Sequence, residues 1–177
     1  FLASLSPLQK QFVQNLPFEL TDDQRYVVHV MNQEIDLGYK QRNDLLNRFD
    51  DEGEISIQNY KLPFTMARLL QGDVGSGKTL TALLICLRII SWKGQCAFMA
   101  PTEILAKQHA ETTANLLDKL GIRTAFLTGN VKSSGRNQIL KALKNGEIDI
   151  IVGTHALFSN QVVYNDLQLA VIDEQHR

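Results

Sequence analysis

From Met66 onward, short and almost wholly apolar runs alternate with longer runs whose apolar positions recur at helical spacing. A strand from Met66 leads into Leu69–Leu80. A helix follows over about Lys78–Ser91, with Leu80, Leu83, Leu84, Ile85, Leu87 and Ile89 apolar nearly all round it, so it is buried on more than one side. Gln95–Ala100 predicts a second strand, and Glu103–Leu120 a helix closed by Gly121. Arg123–Thr128 predicts a third strand. A helix then opens at Ser133 or Ser134, carries Ile139, Leu140 and Leu143, and stops at Asn145-Gly146. Asp149–Gly153 predicts a fourth strand, Val162-Val163-Tyr164 a short extra one, and Leu167–Asp173 the last. Continuous apolar strands between helices predict an α/β domain whose mostly parallel sheet has helices on both faces. In such folds ligands sit at the carboxyl ends of the strands.

The first part of the chain follows a different pattern. Leu5, Leu8, Phe12 and Leu16 lie near helical spacing, and Pro17 ends that helix. Thr21 is a helix cap followed by Asp22 and Asp23, acids suited to a helix N-terminus. The helix is expected to run to Ile35, with Tyr26, Val27, Val30 and Met31 on one face. Asp36–Pro63 is polar and weakly periodic, with Asp50, Asp51, Glu52 and Glu54 around Gly53. A calcium loop fails there, because Arg48 and Asn59 stand where ligands are needed. This segment is expected to be a mobile insertion, with a turn or two of helix at Asn43–Phe49 and a short strand at Ile55–Tyr60. Three parts result: lead-in helices over 1–35, the insertion over 36–63, and the α/β domain over 64–177.

Composition narrows the class. The 177 residues suffice for one domain with a sizeable core; 44% apolar is ordinary for a soluble globular protein, and 21% charged is slightly low. A net charge of −1 argues against holding nucleic acid by bulk charge, though a local groove remains open. No membrane span or signal peptide is visible. Cys86 and Cys96 read as buried free thiols, which fits the cytoplasm, and the four histidines show no metal-ligand spacing. A first residue other than Met, and a last residue close behind an apolar strand, suggest a piece of a longer protein.

The chemistry is concentrated in LLQGDVGSGKTL. Gly72, Gly77, Lys78 and Thr79 fit the P-loop pattern, placed between a strand and a helix. Backbone N–H groups of Gly75, Ser76, Gly77, Lys78 and Thr79 can point at a polyphosphate, aided by the helix N-terminus. Lys78 would reach the β- and γ-phosphates as a point charge, and Thr79 would offer its hydroxyl to Mg²⁺. The same chemistry needs an acid at a strand end, and Asp173 after the apolar LAVI is the candidate. Glu174 beside it is placed to orient or deprotonate the attacking water.

GDVGSGKT, MAPTEILA, GTHAL and IDEQHR, in this order and spacing, resemble the first motor domain of superfamily 2 helicases of the DExH type. The wording is most similar to the bacterial ATP-dependent helicases that remodel branched DNA. The resemblance covers about Leu16–Ile35 and Met66–Arg177. It implies a RecA-like fold, ATP and Mg²⁺ as cofactors, branched or forked DNA as partner, and a second RecA-like domain and a wedge domain elsewhere in the parent chain. By position, Gln24 in Phe18-Glu19-Leu20-Thr21-x-x-Gln24 would read the adenine edge with Phe18 nearby. Thr102, Gly129 and Thr154 would touch the DNA backbone, and His176 would couple the two sites. The resemblance does not account for Asp36–Pro63. Lys132, Arg136, Lys141 and Lys144 spread around their helix and read as a solvated face. His155 fits a DNA contact and a turn filler equally well. A P-loop kinase would need an Arg-rich lid, which is missing, and a non-hydrolysing regulator would lack Glu174.

Overall fold

The computed structural model describes residues 1–52, 66–70 and 77–173, the side chains of 45–52 and 66–70 excepted. Among the described residues five strands, β1 (Met66–Leu70), β2 (Gln95–Met99), β3 (Thr124–Leu127), β4 (Ile150–Gly153) and β5 (Leu167–Asp173), form one sheet in the order β1-β5-β2-β4-β3. Every pairing is parallel. The α/β class and parallel sheet expected from the alternation of apolar runs are therefore the ones observed.

The strands are apolar on both sides because both sides are covered. On one face, Cys96, Phe98, Ile150, Val152, Leu169 and Val171 pack with α1 (Pro7–Gln14), α2 (Asp22–Glu52), α3 (Lys78–Ser91) and Leu117 of α4 (Glu103–Leu117). On the other face, Ala97, Met99, Leu127 and Ile151 pack with Leu143 of α5 (Ser133–Lys144), Ile148 and Leu157. Helix α3 carries eight buried residues, including Leu83, Leu84, Cys86 and Leu87 at 0% exposure. Burial raises the Cys96 thiol well above its ordinary pKa, and both cysteines are free.

Two sequence expectations are corrected. Helix α2 does not stop at Ile35 but continues to Glu52, so 36–52 is helix; 53–63, including the whole of the strand expected at Ile55–Tyr60, lies outside the described residues. Polar residues there hid the anchors. Asp36 accepts from Arg88 Nε (2.9 Å) and from Trp92 Nε1 (2.9 Å), Tyr39 stacks on Trp92 at 5.0 Å, and Arg42 pairs with Asp166 at 3.1 Å. Gly38 costs such a helix only about 1 kcal/mol relative to Ala. The second correction concerns Val162-Val163-Tyr164, which forms no strand. Val162 and Tyr164 pack under the second face, and the Tyr164 hydroxyl donates to Leu157 O at 3.0 Å.

The lead-in helices are bolted to α3. Ser6 and Gln9 form a capping box at the start of α1. Gln9 is fully buried and donates from Nε2 to Asn32 Oδ1 and to Leu84 O, both at 2.9 Å. Its Oε1 accepts from Asn32 and from Arg88 at 3.2 Å each. A buried amide satisfied on both atoms fixes how α1, α2 and α3 meet.

Candidate functional site

Helix α3 begins where the P-loop motif ends. Its cap, Gly77, has φ +79°, the left-handed region that L-residues rarely enter. A Cβ there would also stand 2.4 Å from Gln24 Nε2. Gln24 is held in place by a reciprocal cap: its Oε1 accepts from Thr21 N at 2.9 Å, and its N–H donates to Thr21 Oγ1 at 3.2 Å. The sequence pattern Thr-x-x-Gln is thus a helix start that aims one amide at the turn below Lys78.

Lys78 and Asp173 meet at the carboxyl ends of neighbouring strands β1 and β5, with Nζ 3.2 Å from Oδ1. The side chains are 9% and 0% exposed. A carboxylate this deep needs partners for both oxygens. The second is His109, whose Nε2 donates to Asp173 Oδ2 at 2.6 Å. The His109 ring packs against Phe98 with centroids 4.7 Å apart. Thr79 follows Lys78 in the first turn of α3. A hydroxyl and a carboxylate are hard oxygen donors of the kind Mg²⁺ prefers. Among the described residues, no group of three or more His, Cys, Asp or Glu side chains could hold a metal by itself. An ion here would therefore take further oxygens from water or from a bound phosphate. Gly72, Gly75, Ser76, Glu174 and His176 lie outside the described residues.

The other candidates gather along the same edge of the sheet, past β5. Thr102 follows β2, Gly129 follows β3 and Thr154 follows β4, and β2, β4 and β3 are neighbours. Thr102 is exposed and caps α4, its Oγ1 accepting from Leu105 N at 3.3 Å, which leaves its O–H to donate outward. Asn130 donates to Glu103 Oε2 at 2.7 Å, tying the Gly129 loop to the Thr102 loop. Ala100 N donates to Gly153 O at 2.9 Å, tying the Thr154 loop to the end of β2. Gly153 is required by space, because a Cβ there would stand 2.0 Å from Leu127 O. The candidates thus divide into a pair beneath α3 and a row of three loops. Sequence reasoning missed His109. Its signal was a polar residue on the buried face of α4, in step with Ala106, Thr113 and Leu117.

A cavity of about 700 Å³ is lined by Phe18, Glu19, Leu20 and Arg25 together with the first residues of the chain and Leu16. It flanks the segment that aims Gln24. A family model described as DEAD/DEAH box helicase matches residues 55–177. The chain belongs to the DEAD/DEAH box helicase family. This helicase domain is 51% identical over 176 residues, 99% of its length, to the ATP-dependent DNA helicase RecG of Treponema pallidum, of which it covers 22%. It is 51% identical to RecG of Escherichia coli K12 over 116 residues, 66% of this chain and 17% of that one. A solved structure of RecG bound to a three-way DNA junction superimposes with a TM-score of 0.71 at 39% identity, covering 96% of this chain and 20% of that one. The helicase domain therefore spans about a fifth of the length of these relatives. The motif-based resemblance to helicases, and to the RecG branch in particular, agrees with these matches. No helix among the described residues is long and apolar enough to cross a membrane.

Proposed function

We propose that the chain is the first of two RecA-like motor domains of an ATP-dependent helicase that acts in the cytoplasm on branched DNA, such as stalled forks and junctions, in recombination and repair. The observation that carries this reading is the division of one sheet edge. Lys78 and Asp173 occupy the β1/β5 end, and the Thr102, Gly129 and Thr154 loops occupy the β2/β4/β3 end. A motor needs both sites on one rigid body, so that nucleotide and DNA report to each other.

On the nucleotide side, Lys78 leaves Asp173 to meet the β- and γ-phosphates, with N–H groups of Gly72 and Gly75–Thr79 around them. Thr79 and Asp173 would hold Mg²⁺, which supplies charge neutralisation at the phosphates when bound. Glu174 orients the attacking water. Gln24 and Phe18 face the adenine, which the cavity beside them can admit. On the DNA side, the Thr102 and Thr154 hydroxyls and the Gly129 N–H donate to phosphates, contacts that position a strand without reading its sequence. His176 relays between the sides. The second RecA-like domain and the wedge belong to the remaining four-fifths of a parent of RecG length. Turnover by that parent is expected to rise on adding three-way junction DNA. Turnover indifferent to DNA, or phosphate transfer to a small molecule, would overturn the proposal.

A further inference from the structure

His109 belongs to none of the motifs read from the sequence, yet it is the second partner of Asp173. We propose that His109 is a positioning residue that sets the direction of the Asp173 carboxylate and ties it to α4, the helix capped by Thr102. This rests on the reading of Asp173 as the carboxylate that holds Mg²⁺. The two partners of Asp173 have different fates when nucleotide arrives. Lys78, on Oδ1, is drawn to the phosphates. His109, on Oδ2, makes no other hydrogen bond from Nε2 among the described residues, so it is the partner among them that keeps the carboxylate aimed.

The imidazole is itself well held. It is 9% exposed, packs on Phe98, and stands on the buried face of α4 with Ala106 and Leu117. Packing alone would be served by any ring of similar size. The 2.6 Å contact shows that the donor is used. The same helix starts at the DNA-side loops, bound to the Gly129 loop through Glu103 and Asn130. A shift of α4 at that end therefore moves the side chain that holds Oδ2 of the metal-side carboxylate. Partners of this kind, which orient a ligand without touching the metal, contribute roughly 10–100-fold to metal affinity.

The test is titration of the 177-residue chain with fluorescent methylanthraniloyl-ADP, in magnesium chloride and in EDTA. His109→Phe keeps the ring and deletes the donor; His109→Gln keeps an N–H. The ring variant is expected to lose about 10-fold or more of the affinity gained from magnesium, with EDTA affinity within about twofold of the parent. The Gln variant should recover most of the loss. A ring variant with the full magnesium gain, or with equal losses in both media, would overturn the inference. Should His109→Phe unfold the chain, His109→Leu against His109→Gln carries the same comparison. A parent chain with no magnesium gain would instead sink the reading of Asp173, a separate outcome.

Discussion

At the scale of single residues, the site rests on charges that have little room to be replaced. Lys78 is nearly buried and faces a fully buried carboxylate, so its ammonium is held for a partner of opposite charge. Lys78→Ala in a parent of RecG length should abolish ATP hydrolysis and unwinding while junction binding survives, because the loops proposed to touch DNA stand at other strand ends. Gel-shift and turnover assays on one preparation separate the two, and retained unwinding would defeat the assignment. Gly153 tests packing. Its missing Cβ lets β4 approach Leu127 O, so Gly153→Ala forces strand ends apart and should lower stability by about 1–3 kcal/mol. A urea midpoint unchanged by that substitution would contradict the close approach.

At the scale of elements, the longest helix depends on side chains that reach across to α3. Burial by itself would raise the Asp36 pKa, but hydrogen bonds from Arg88 and Trp92, with the charges of Arg88 and Lys40, outweigh it and hold the carboxyl below its usual value. A depressed carboxylate stabilises the fold above its unfolded pKa, near ~4, and that part is lost as pH falls through the lower folded value. Asp36→Asn should therefore cost about 1 kcal/mol at neutral pH, a modest figure because Asp36 keeps contact with water, and the difference should shrink in acid. Denaturation midpoints between neutrality and acid measure this; a gap that widens in acid would reverse the sign. The same anchors predict that trypsin spares Lys40 and Arg42 early in limited proteolysis, and prompt cleavage there would show α2 undocked.

At the scale of the whole molecule, the domain has a continuous core on both sheet faces, and the proposed function makes it one of two motor domains. Independent folding follows from that core. The chain is expected to bind ATP or ADP weakly and to hydrolyse ATP near the background rate, because an arginine finger from a partner domain contributes roughly 10³–10⁵ in turnover. Junction DNA should not rescue the rate, since in the proposed motor its effect works by closing two domains. Robust DNA-stimulated hydrolysis by the 177-residue chain would show it to be a complete enzyme and overturn its reading as half a motor.

Much of this was legible in the residues. Continuous apolar runs are what a doubly covered parallel sheet requires, so five strands and the helices between them could be placed within a residue or two. The P-loop spacing located Lys78 and Thr79, and Thr21 followed by Asp22 and Asp23 located the start of α2, because both patterns are local backbone chemistry. The reach of α2 was not legible, since Asp36, Tyr39 and Arg42 look like a polar loop until Arg88, Trp92 and Asp166 are brought beside them. Neither was the failure of Val162–Tyr164 to form a strand, because strand formation needs a neighbour that the chain order does not reveal. Gln24 against Gly77, and His109 against Asp173, join segments far apart along the chain. Local pattern specifies which residues can do the chemistry, because spacing and backbone preference act over a few residues. Which of them meet is decided only when the sheet order sets β5 between β1 and β2 and buries one carboxylate between a lysine and a histidine.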